Sequence, residues 1–211
     1  MTSLDPRDAY ALWAESYDSD LNPVVALEAR MMRECLDLSP GMRVLDLGTG
    51  TGRWLQYALN YRASAYGMDL SREMLKVAAL KQGLRGRLVE GSLERLPFPD
   101  QCADLAICSL SLGYAESPLM ALREMKRVAR NVVISDLHPK ALKAGWVRSF
   151  RAQGQSYEIA NRSYSLPESD WQLEAFFGEP ERAIFKQAGK GGHFESARQI
   201  PAIFIAGWNT V

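Results

Sequence analysis

Three glycines at alternate positions follow an apolar run that ends in an acid, in the sequence Val-Leu-Asp-Leu-Gly-Thr-Gly-Thr-Gly of residues 44–52. A helical pattern begins at Arg53, so this segment predicts a buried parallel strand, a tight turn and a helix start. Glycine lets the backbone approach a ligand where a Cβ would collide, and the helix N-terminus adds free N–H groups. Such a loop suits a polar cofactor that carries adenosine. The predicted contacts are Asp46, Gly48, Thr49, Gly50 and Gly52.

The glycine spacing helps to separate the nucleotides that such loops bind. The order Gly-x-Gly-x-Gly differs from the dinucleotide fingerprint Gly-x-Gly-x-x-Gly, because Arg53 stands at the place of its third glycine. The Gly-Lys-Ser/Thr ending of phosphate loops is absent as well. A second acid, Asp69, ends the next predicted strand, where a carboxylate can accept hydrogen bonds from both hydroxyls of a ribose. The alternative is that Asp69 only helps to start the following helix, for which Ser71 is the better N-cap.

Together these segments resemble the class I S-adenosylmethionine-dependent methyltransferases, and most of all their small-molecule members from quinone and biotin pathways. The resemblance is close over residues 44–136 and looser in the flanks. It implies that S-adenosyl-L-methionine is the cofactor and that a methyl group passes to a small molecule. Relatives usually carry Asp where Ser92 stands, which predicts a weaker or different contact to adenine. The further cofactor contacts that the resemblance implies are Asp69, Leu70, Ser92, Leu93 and Ser109.

An aromatic stripe precedes the glycine loop. Tyr10, Trp13 and Tyr17 lie three and four residues apart, so they share one face of a predicted helix. The functional interpretation is a lid over the cofactor, whose aromatic faces attract a sulfonium and exclude water. The alternative is a stripe that simply packs on the sheet. Many relatives carry a similar Trp-Ala-x-x-Tyr-Asp segment, which is residues 13–18 here.

Methyl transfer from a sulfonium needs few catalytic groups, because the methyl is already activated. In-line positioning of the acceptor can supply on the order of 7–11 kcal/mol. A base is needed only where the acceptor must lose a proton. His138, which follows the fifth predicted strand, and Tyr17 are the predicted catalytic residues, with Asp136 as a further candidate base. The alternative for His138 is a local hydrogen bond at the helix that Pro139 starts.

Large aromatic side chains and one cation follow the fifth strand. This mixture suits a small, partly apolar acceptor with an acidic or polar group, whose accepting atom (O, N, S or C) stays open. Ordinary packing is the alternative for each residue taken alone. The predicted substrate-binding residues are Tyr114, His138, Trp146, Arg148 and Tyr157.

Composition agrees with one enzyme domain. The 211 residues have 47% hydrophobic content, and no apolar run is long enough to span a membrane. The formal net charge of zero argues against binding to nucleic acid or to an anionic membrane. Three cysteines without paired spacing and an N-terminus unlike a signal peptide predict a cytoplasmic protein. His138 and His193 form no metal motif, and we expect a monomer or homodimer.

Strands alternate with helices through the middle of the chain, which predicts an α/β fold with a doubly wound, mostly parallel sheet. The predicted strands are 43–47, 64–69, 86–90, 103–109 and 131–136, and the helices between them are 52–60, 72–82 and 118–128. Residues 139–150 and 167–177 look helical and 155–164 extended, whereas 181–187 and 200–206 look like strands. The resemblance implies that these last two strands complete a seven-stranded sheet as its antiparallel end. The single domain then has an N-terminal helical lid (1–40), a cofactor-binding core (41–136), a substrate-pocket insertion (137–180) and C-terminal strands (181–211).

Two rival functions stay open at this point. A nicotinamide-dependent oxidoreductase could use a similar fold, although the glycine spacing and the lack of a Tyr-x-x-x-Lys dyad argue against it. A non-catalytic partner protein that binds S-adenosylmethionine is harder to exclude, because methyl transfer needs so few chemical groups.

Overall fold

The computed structural model describes residues 2–162 and 164–210. Met1, Ser163 and Val211 lie outside the described residues, so the predicted lid, insertion, extended segment 155–164 and C-terminal region are each described without one of them. Within the described ranges, no helix combines the length and the apolar character needed to cross a bilayer.

The described residues form ten strands and eight α-helices. The strands are β1 (Thr2–Leu4), β2 (Arg43–Leu47), β3 (Ser64–Asp69), β4 (Leu88–Glu90), β5 (Ala103–Ser109), β6 (Ala129–Leu137), β7 (Ser149–Ala152), β8 (Gln155–Ile159), β9 (Trp171–Ala175) and β10 (Ile203–Asn209). The helices are α1 (Pro6–Trp13), α2 (Pro23–Cys35), α3 (Arg53–Asn60), α4 (Arg72–Ala78), α5 (Pro118–Val128), α6 (Pro139–Lys143), α7 (Glu179–Gln187) and α8 (Phe194–Ala197).

The larger sheet has seven strands in the order β4-β3-β2-β5-β6-β10-β9. Its first five strands pair in parallel, whereas β10 runs antiparallel to both β6 and β9. The order reverses at β2, where the chain moves first to β3 and β4 and later to β5 on the other side. Ligands of open α/β sheets bind outside the carboxyl ends of the strands at such a switch point. The predicted seven-stranded, mostly parallel fold is confirmed.

Apolar side chains cover both faces of this sheet. Leu55 and Ile107 are fully buried in one layer, and Leu47 and Met68 in the other. Burial of each such side chain contributes roughly 1.5–3 kcal/mol. The two layers hold the strand ends in fixed register, and therefore also the loops that follow them.

A smaller sheet, in the order β1-β8-β7, lies beside α1. Trp13 of α1 stacks on Phe150 of β7 with ring centroids 4.8 Å apart, and Phe150 stacks on Tyr157 of β8 at 5.5 Å. This cluster attaches the N-terminal helix to the segment that follows β6. Sequence-distant parts of the chain therefore cover the same end of the large sheet.

After residue 137, one predicted helix is too long and two predicted elements are wrong. The helix predicted over 139–150 ends at Lys143, because Gly145 takes a positive φ of +83° and β7 then begins at Ser149. Residues 167–177 contain β9, where Leu173 and Ala175 alternate with exposed neighbours at the strand period of two. Residues 181–187 belong to α7, because Glu181 accepts a hydrogen bond from the Gly178 N–H (2.8 Å) and closes the first turn. The final strand lies at Ile203–Asn209, slightly later than predicted.

Candidate functional site

A cavity of about 470 Å³ opens at the carboxyl ends of β2, β3 and β5, beneath α1. It brings together residues that lie far apart in the sequence, from the N-terminal helix to β7. The predicted site residues among its lining are Tyr10, Tyr17, Asp46, Gly48, Thr49, Gly50, Asp69, Leu70, Ser92, Leu93, Ser109, Tyr114 and Arg148.

The glycine loop has the backbone conformation that its sequence favours. Gly48 and Gly50 have φ values of +72° and +56°, a region that side chains other than glycine rarely adopt. A Cβ on Gly48 would lie 2.5 Å from the Cβ of Ser111, whereas a Cβ on Gly50 would meet nothing within 4 Å. Gly48 therefore permits close packing of two loops, and Gly50 exposes bare backbone to the cavity. Gly52 is absent from the described cavity lining, and its missing Cβ admits Leu84 against the start of α3.

Two carboxylates hold this loop. Asp46 is 1% exposed, and its Oδ2 accepts hydrogen bonds from Thr49 Oγ1 (2.6 Å) and the Leu55 N–H (2.8 Å). Burial raises the pKa of Asp46 to about 6, although both hydrogen bonds act in the opposite direction. Asp69 accepts from the N–H groups of Gly50 (2.7 Å) and Ser71 (2.8 Å), and burial raises its pKa as well. The acids thus shape the loop and add negative charge to the cavity.

An ion pair that the sequence does not predict joins a buried carboxylate to an arginine of the cavity lining. Glu28 of α2 is fully buried, and its Oε2 lies 2.7 Å from Nη2 of Arg53. Its Oε1 accepts hydrogen bonds from Ser109 Oγ (2.7 Å) and Ser135 Oγ (2.8 Å). The sequence does contain a sign of this role, because Glu28 is an acid on the apolar face of α2, one turn after Val24. This carboxylate joins α2 to the ends of β5 and β6.

The N-terminal segment is fastened to the glycine loop. Asp18 accepts a hydrogen bond from Thr51 Oγ1 (2.6 Å) and lies 2.7 Å from Nζ of Lys81. Tyr17 lines the cavity, and burial raises its pKa to about 12, so its phenol is a neutral hydrogen-bond donor at neutral pH. Trp13 is 2% exposed and packs on Phe150 instead of lining the cavity.

Comparison with known proteins decides the family. A model of the methyltransferase domain matches residues 45–134. A malonyl-[acyl-carrier protein] O-methyltransferase of Marinomonas sp. (strain MWYL1) is 30% identical over 218 residues, which cover 92% of this chain and 79% of that protein. The chain belongs to the class I S-adenosylmethionine-dependent methyltransferases.

Other members of this methyltransferase family match over shorter stretches. A demethylmenaquinone methyltransferase of Geobacillus kaustophilus (strain HTA426) is 33% identical over 102 residues, which cover 45% of this chain and 44% of that protein. The chain thus spans less than half the length of several curated relatives that it matches. The fold is shared with the S-adenosylmethionine-dependent methyltransferase of Mesorhizobium loti, with a TM-score of 0.66 at 20% identity, over 88% of this chain and 99% of that one.

The segment after β4 carries Ser92, where the resemblance predicts Asp. Ser92 Oγ hydrogen-bonds to the carboxylate of Glu94, which also lines the cavity and accepts from the Ser117 N–H (3.2 Å). Burial alone would raise the pKa of Glu94, but the hydrogen bonds from Ser92 and from backbone N–H groups together lower it. A carboxylate of the cavity lining is therefore present two residues after Ser92.

His138 lies outside both described cavities and is 5% exposed. Its Nδ1 accepts from the Lys140 N–H (3.0 Å) at the start of α6, and its Nε2 lies 3.0 Å from Glu174 Oε1. These contacts match the alternative that the sequence left open, a local hydrogen bond at a helix start. The role of His138 as a base stays a prediction.

Three other candidates for acceptor chemistry have different surroundings. Tyr157 packs on Phe150 and hydrogen-bonds to Gln155 (3.1 Å), and it lines neither cavity. Trp146 lines a second cavity instead of the first. Asp136 is 2% exposed and accepts from the N–H of Gly113 (2.8 Å) in the turn that carries Tyr114. Asp136 thus positions a cavity residue without lining the cavity.

We predict that Asp46→Asn stabilises the free protein above about pH 6 by roughly 1–3 kcal/mol. The raised pKa of Asp46 means that its contribution to stability is present at low pH and is lost as the pH rises through about 6. The amide oxygen of Asn can accept the bonds from Thr49 and Leu55, whereas no charge remains to be desolvated. Urea unfolding at about pH 5 and pH 8 measures the effect, since the variant should lose less stability than the wild type between them.

Asp104→Asn is a control for which we expect the opposite change in stability. Hydrogen bonds from Arg43 lower the pKa of Asp104 to about 2, so its contribution is present at neutral pH and is lost on acidification. Asp104→Asn should therefore destabilise the protein at pH 8. If Asp46→Asn destabilised it too, the Asp46 charge would be a net stabilising group and its raised pKa would be wrong.

Proposed function

We propose that this protein transfers the methyl group of S-adenosyl-L-methionine to a small-molecule acceptor. The observation that carries the proposal is the cavity at the switch point, where bare backbone at Gly50 contacts the carboxylate of Asp69 and Asp46 belongs to the same lining. When bound, S-adenosylmethionine supplies a methyl group that its sulfonium already activates. The protein then has to bind the cofactor and the acceptor, orient them toward each other and exclude water.

The charges of the cavity suit a ligand with a sulfonium and an ammonium group. Negative groups outnumber positive ones, and a cationic ligand restores the balance. The described lining carries five carboxylates, from Asp5, Asp46, Asp69, Glu94 and Glu116, and three guanidinium groups, from Arg7, Arg53 and Arg148.

Specific roles follow for the acids. Asp69 accepts hydrogen bonds from the ribose hydroxyls, since its carboxylate ends β3 beside the loop. Glu94 supplies the acceptor for the adenine amino group that Ser92 provides only weakly, because its carboxylate lines the cavity next to Ser92. Leu70 and Leu93 provide apolar contact to the base.

The acceptor approaches the methyl group beneath the N-terminal segment. Tyr17 and Tyr114 line this end of the cavity, and burial raises the pKa of both phenols, so they orient an acceptor as neutral hydrogen-bond donors. The two relatives described above are named for different acceptors, so their names do not single out one for this chain. Segment 1–20 serves as the cover, through Tyr10 and Tyr17.

The cofactor assignment predicts that Asp69→Ala weakens S-adenosylmethionine binding by at least about tenfold, because each hydrogen bond to a charged group contributes about 1.5–3 kcal/mol. Calorimetric titration with S-adenosylmethionine and with NAD measures both ligands on the same protein. We expect the wild type to bind the first and not the second. Asp37→Ala is the matched control, since Asp37 is exposed and does not line the cavity.

Asp69 also accepts from Gly50 and Ser71, so the melting temperature of Asp69→Ala has to be measured with its affinity. Asp69→Asn keeps one acceptor and should lie between the wild type and the alanine variant. An unchanged dissociation constant in Asp69→Ala would remove this residue from the site, and binding of NAD alone would favour the oxidoreductase. Turnover on a panel of small acceptors then separates an enzyme from a non-catalytic binding protein.

A further inference from the structure

A second cavity, of about 530 Å³, adjoins the buried arginine of the first one. Its walls come from the N-terminus of α2, the end of β6, the segment between α6 and β7, and the region of α7 and α8. Small-molecule pockets have volumes of roughly 300–1,000 Å³, so this cavity can hold a ligand. Among the described residues, Arg148 is the one that both linings share.

Aromatic rings form the apolar wall of the second cavity. Trp146 stacks on Phe177, with ring centroids 5.8 Å apart and planes 21° apart. Phe177 meets Phe185 edge to face at 4.8 Å. Trp146 is only half-buried, so part of its ring remains available for a ligand. This wall favours an apolar body over a sugar or a nucleotide.

The charge of the second cavity is opposite to that of the first. Arg148, Lys190 and His193 belong to its described lining, and Asp and Glu do not. The first cavity carries five described carboxylates. A ligand of the second cavity is therefore expected to be an anion, where the first suits a cation.

Arg148 is the strongest single indication of that anion. It is 6% exposed, and its Nη1 donates to Tyr10 Oη (3.0 Å) and to the Leu110 carbonyl (3.1 Å). Its Nη2 is buried, and no described residue accepts a hydrogen bond from it. The described partners of this buried guanidinium are a phenol, a carbonyl and the ring of Tyr114, so no described carboxylate contacts it, although the charge of Asp136 acts on it from farther away. A bound carboxylate would provide both the charge and the missing acceptor.

We propose that the second cavity binds the apolar body of the methyl acceptor and that Arg148 binds a carboxylate of that acceptor. The proposal rests on the proposed function, since it names the class of acceptor for the same site. Arg148 is buried, whereas Lys190 and His193 are exposed to solvent, and one buried guanidinium neutralises one negative charge, which favours a monocarboxylate over a phosphate dianion. Because Arg148 lines both cavities, an acceptor held there has its charged end directed toward the cofactor cavity.

Calorimetric titration with decanoate and decanol, both below their aggregation concentrations, tests this proposal. We expect the wild type to bind decanoate at least about tenfold more tightly than decanol, because only decanoate provides a carboxylate that can contact Arg148. Arg148→Gln should lower the affinity for decanoate by at least about tenfold and change the affinity for decanol by less than about twofold. Arg151→Gln is the matched control, since Arg151 lies exposed on β7, three residues after Arg148, and lines neither cavity.

Trp146→Ala provides a second test that does not depend on the charge. Of the two cavities, Trp146 lines only the second. This variant should therefore weaken the binding of both decanoate and decanol and leave S-adenosylhomocysteine binding unchanged. Equal affinity for decanoate and decanol, or a decanoate affinity that neither variant changes, would overturn the proposal. If the wild-type protein failed to bind S-adenosylhomocysteine, that result would instead contradict the proposed function, whatever the outcome of the decanoate titration.

Discussion

A Gly50→Val variant is expected to lose affinity for S-adenosylhomocysteine by roughly a hundredfold or more and still to unfold cooperatively. A Cβ on Gly50 meets no protein atom within 4 Å, so the valine side chain would occupy the cavity itself. The Gly50 N–H donates to Asp69 Oδ2 (2.7 Å), so the same residue also holds the acid that we assign to the ribose. Calorimetric titration together with a thermal melt measures both consequences.

Backbone strain has to be separated from the filling of the cavity. Gly50 has a φ of +56°, where a residue with a Cβ costs roughly 1–2 kcal/mol. Gly41→Val is the matched control, because Gly41 has a φ of +81°, equally open surroundings and no place in the cavity lining. Both variants should lose similar stability, whereas only Gly50→Val should lose the ligand. Normal binding by Gly50→Val would mean that the cofactor lies elsewhere.

The sequence predicts the core of this fold because its signals there are local. The strand bounds 43–47, 64–69 and 103–109 agree with the structure, since each is a short run with a local pattern of apolar residues. After residue 137 the signals compete with one another. Residues 167–177 contain Trp, Leu, Ala and Phe at spacings that suit a helix or a strand. This segment forms a strand because it pairs with β10, whose residues lie about thirty positions later in the sequence.

The site is predictable where one loop forms it and obscure where side chains from distant segments meet. Gly50 and Asp69 were recognisable from their positions at strand ends. The partners of Arg148 were not, because Tyr10 lies 138 positions earlier and Leu110 contributes only a backbone carbonyl. Leu110 itself has a φ of +52°, an unusual conformation for a bulky residue that no sequence pattern announced. Such features become visible only when the sheet brings its loops together.

Glu28→Ala is expected to destabilise the protein by about 3–5 kcal/mol, because Glu28 is fully buried and several groups share its carboxylate. The substitution removes the counter-charge of Arg53 and the acceptor for the hydroxyls of Ser109 and Ser135. It also leaves Trp54 Nε1 without the carboxylate that lies 3.3 Å from it. Urea unfolding of the variant and the wild type at neutral pH measures the difference in free energy.

Glu34→Ala is the matched control on the same helix, because Glu34 is exposed and should change the free energy of unfolding by less than about 0.5 kcal/mol. Glu28→Gln keeps the volume and one acceptor but removes the charge, so it should fall between the two. A loss below about 1 kcal/mol for Glu28→Ala would show that water replaces the carboxylate without penalty. If the loss is large, α2 is bound to the sheet through the residues beneath the cofactor cavity. Arg53 and Ser109 line that cavity, so cofactor affinity should then fall together with stability.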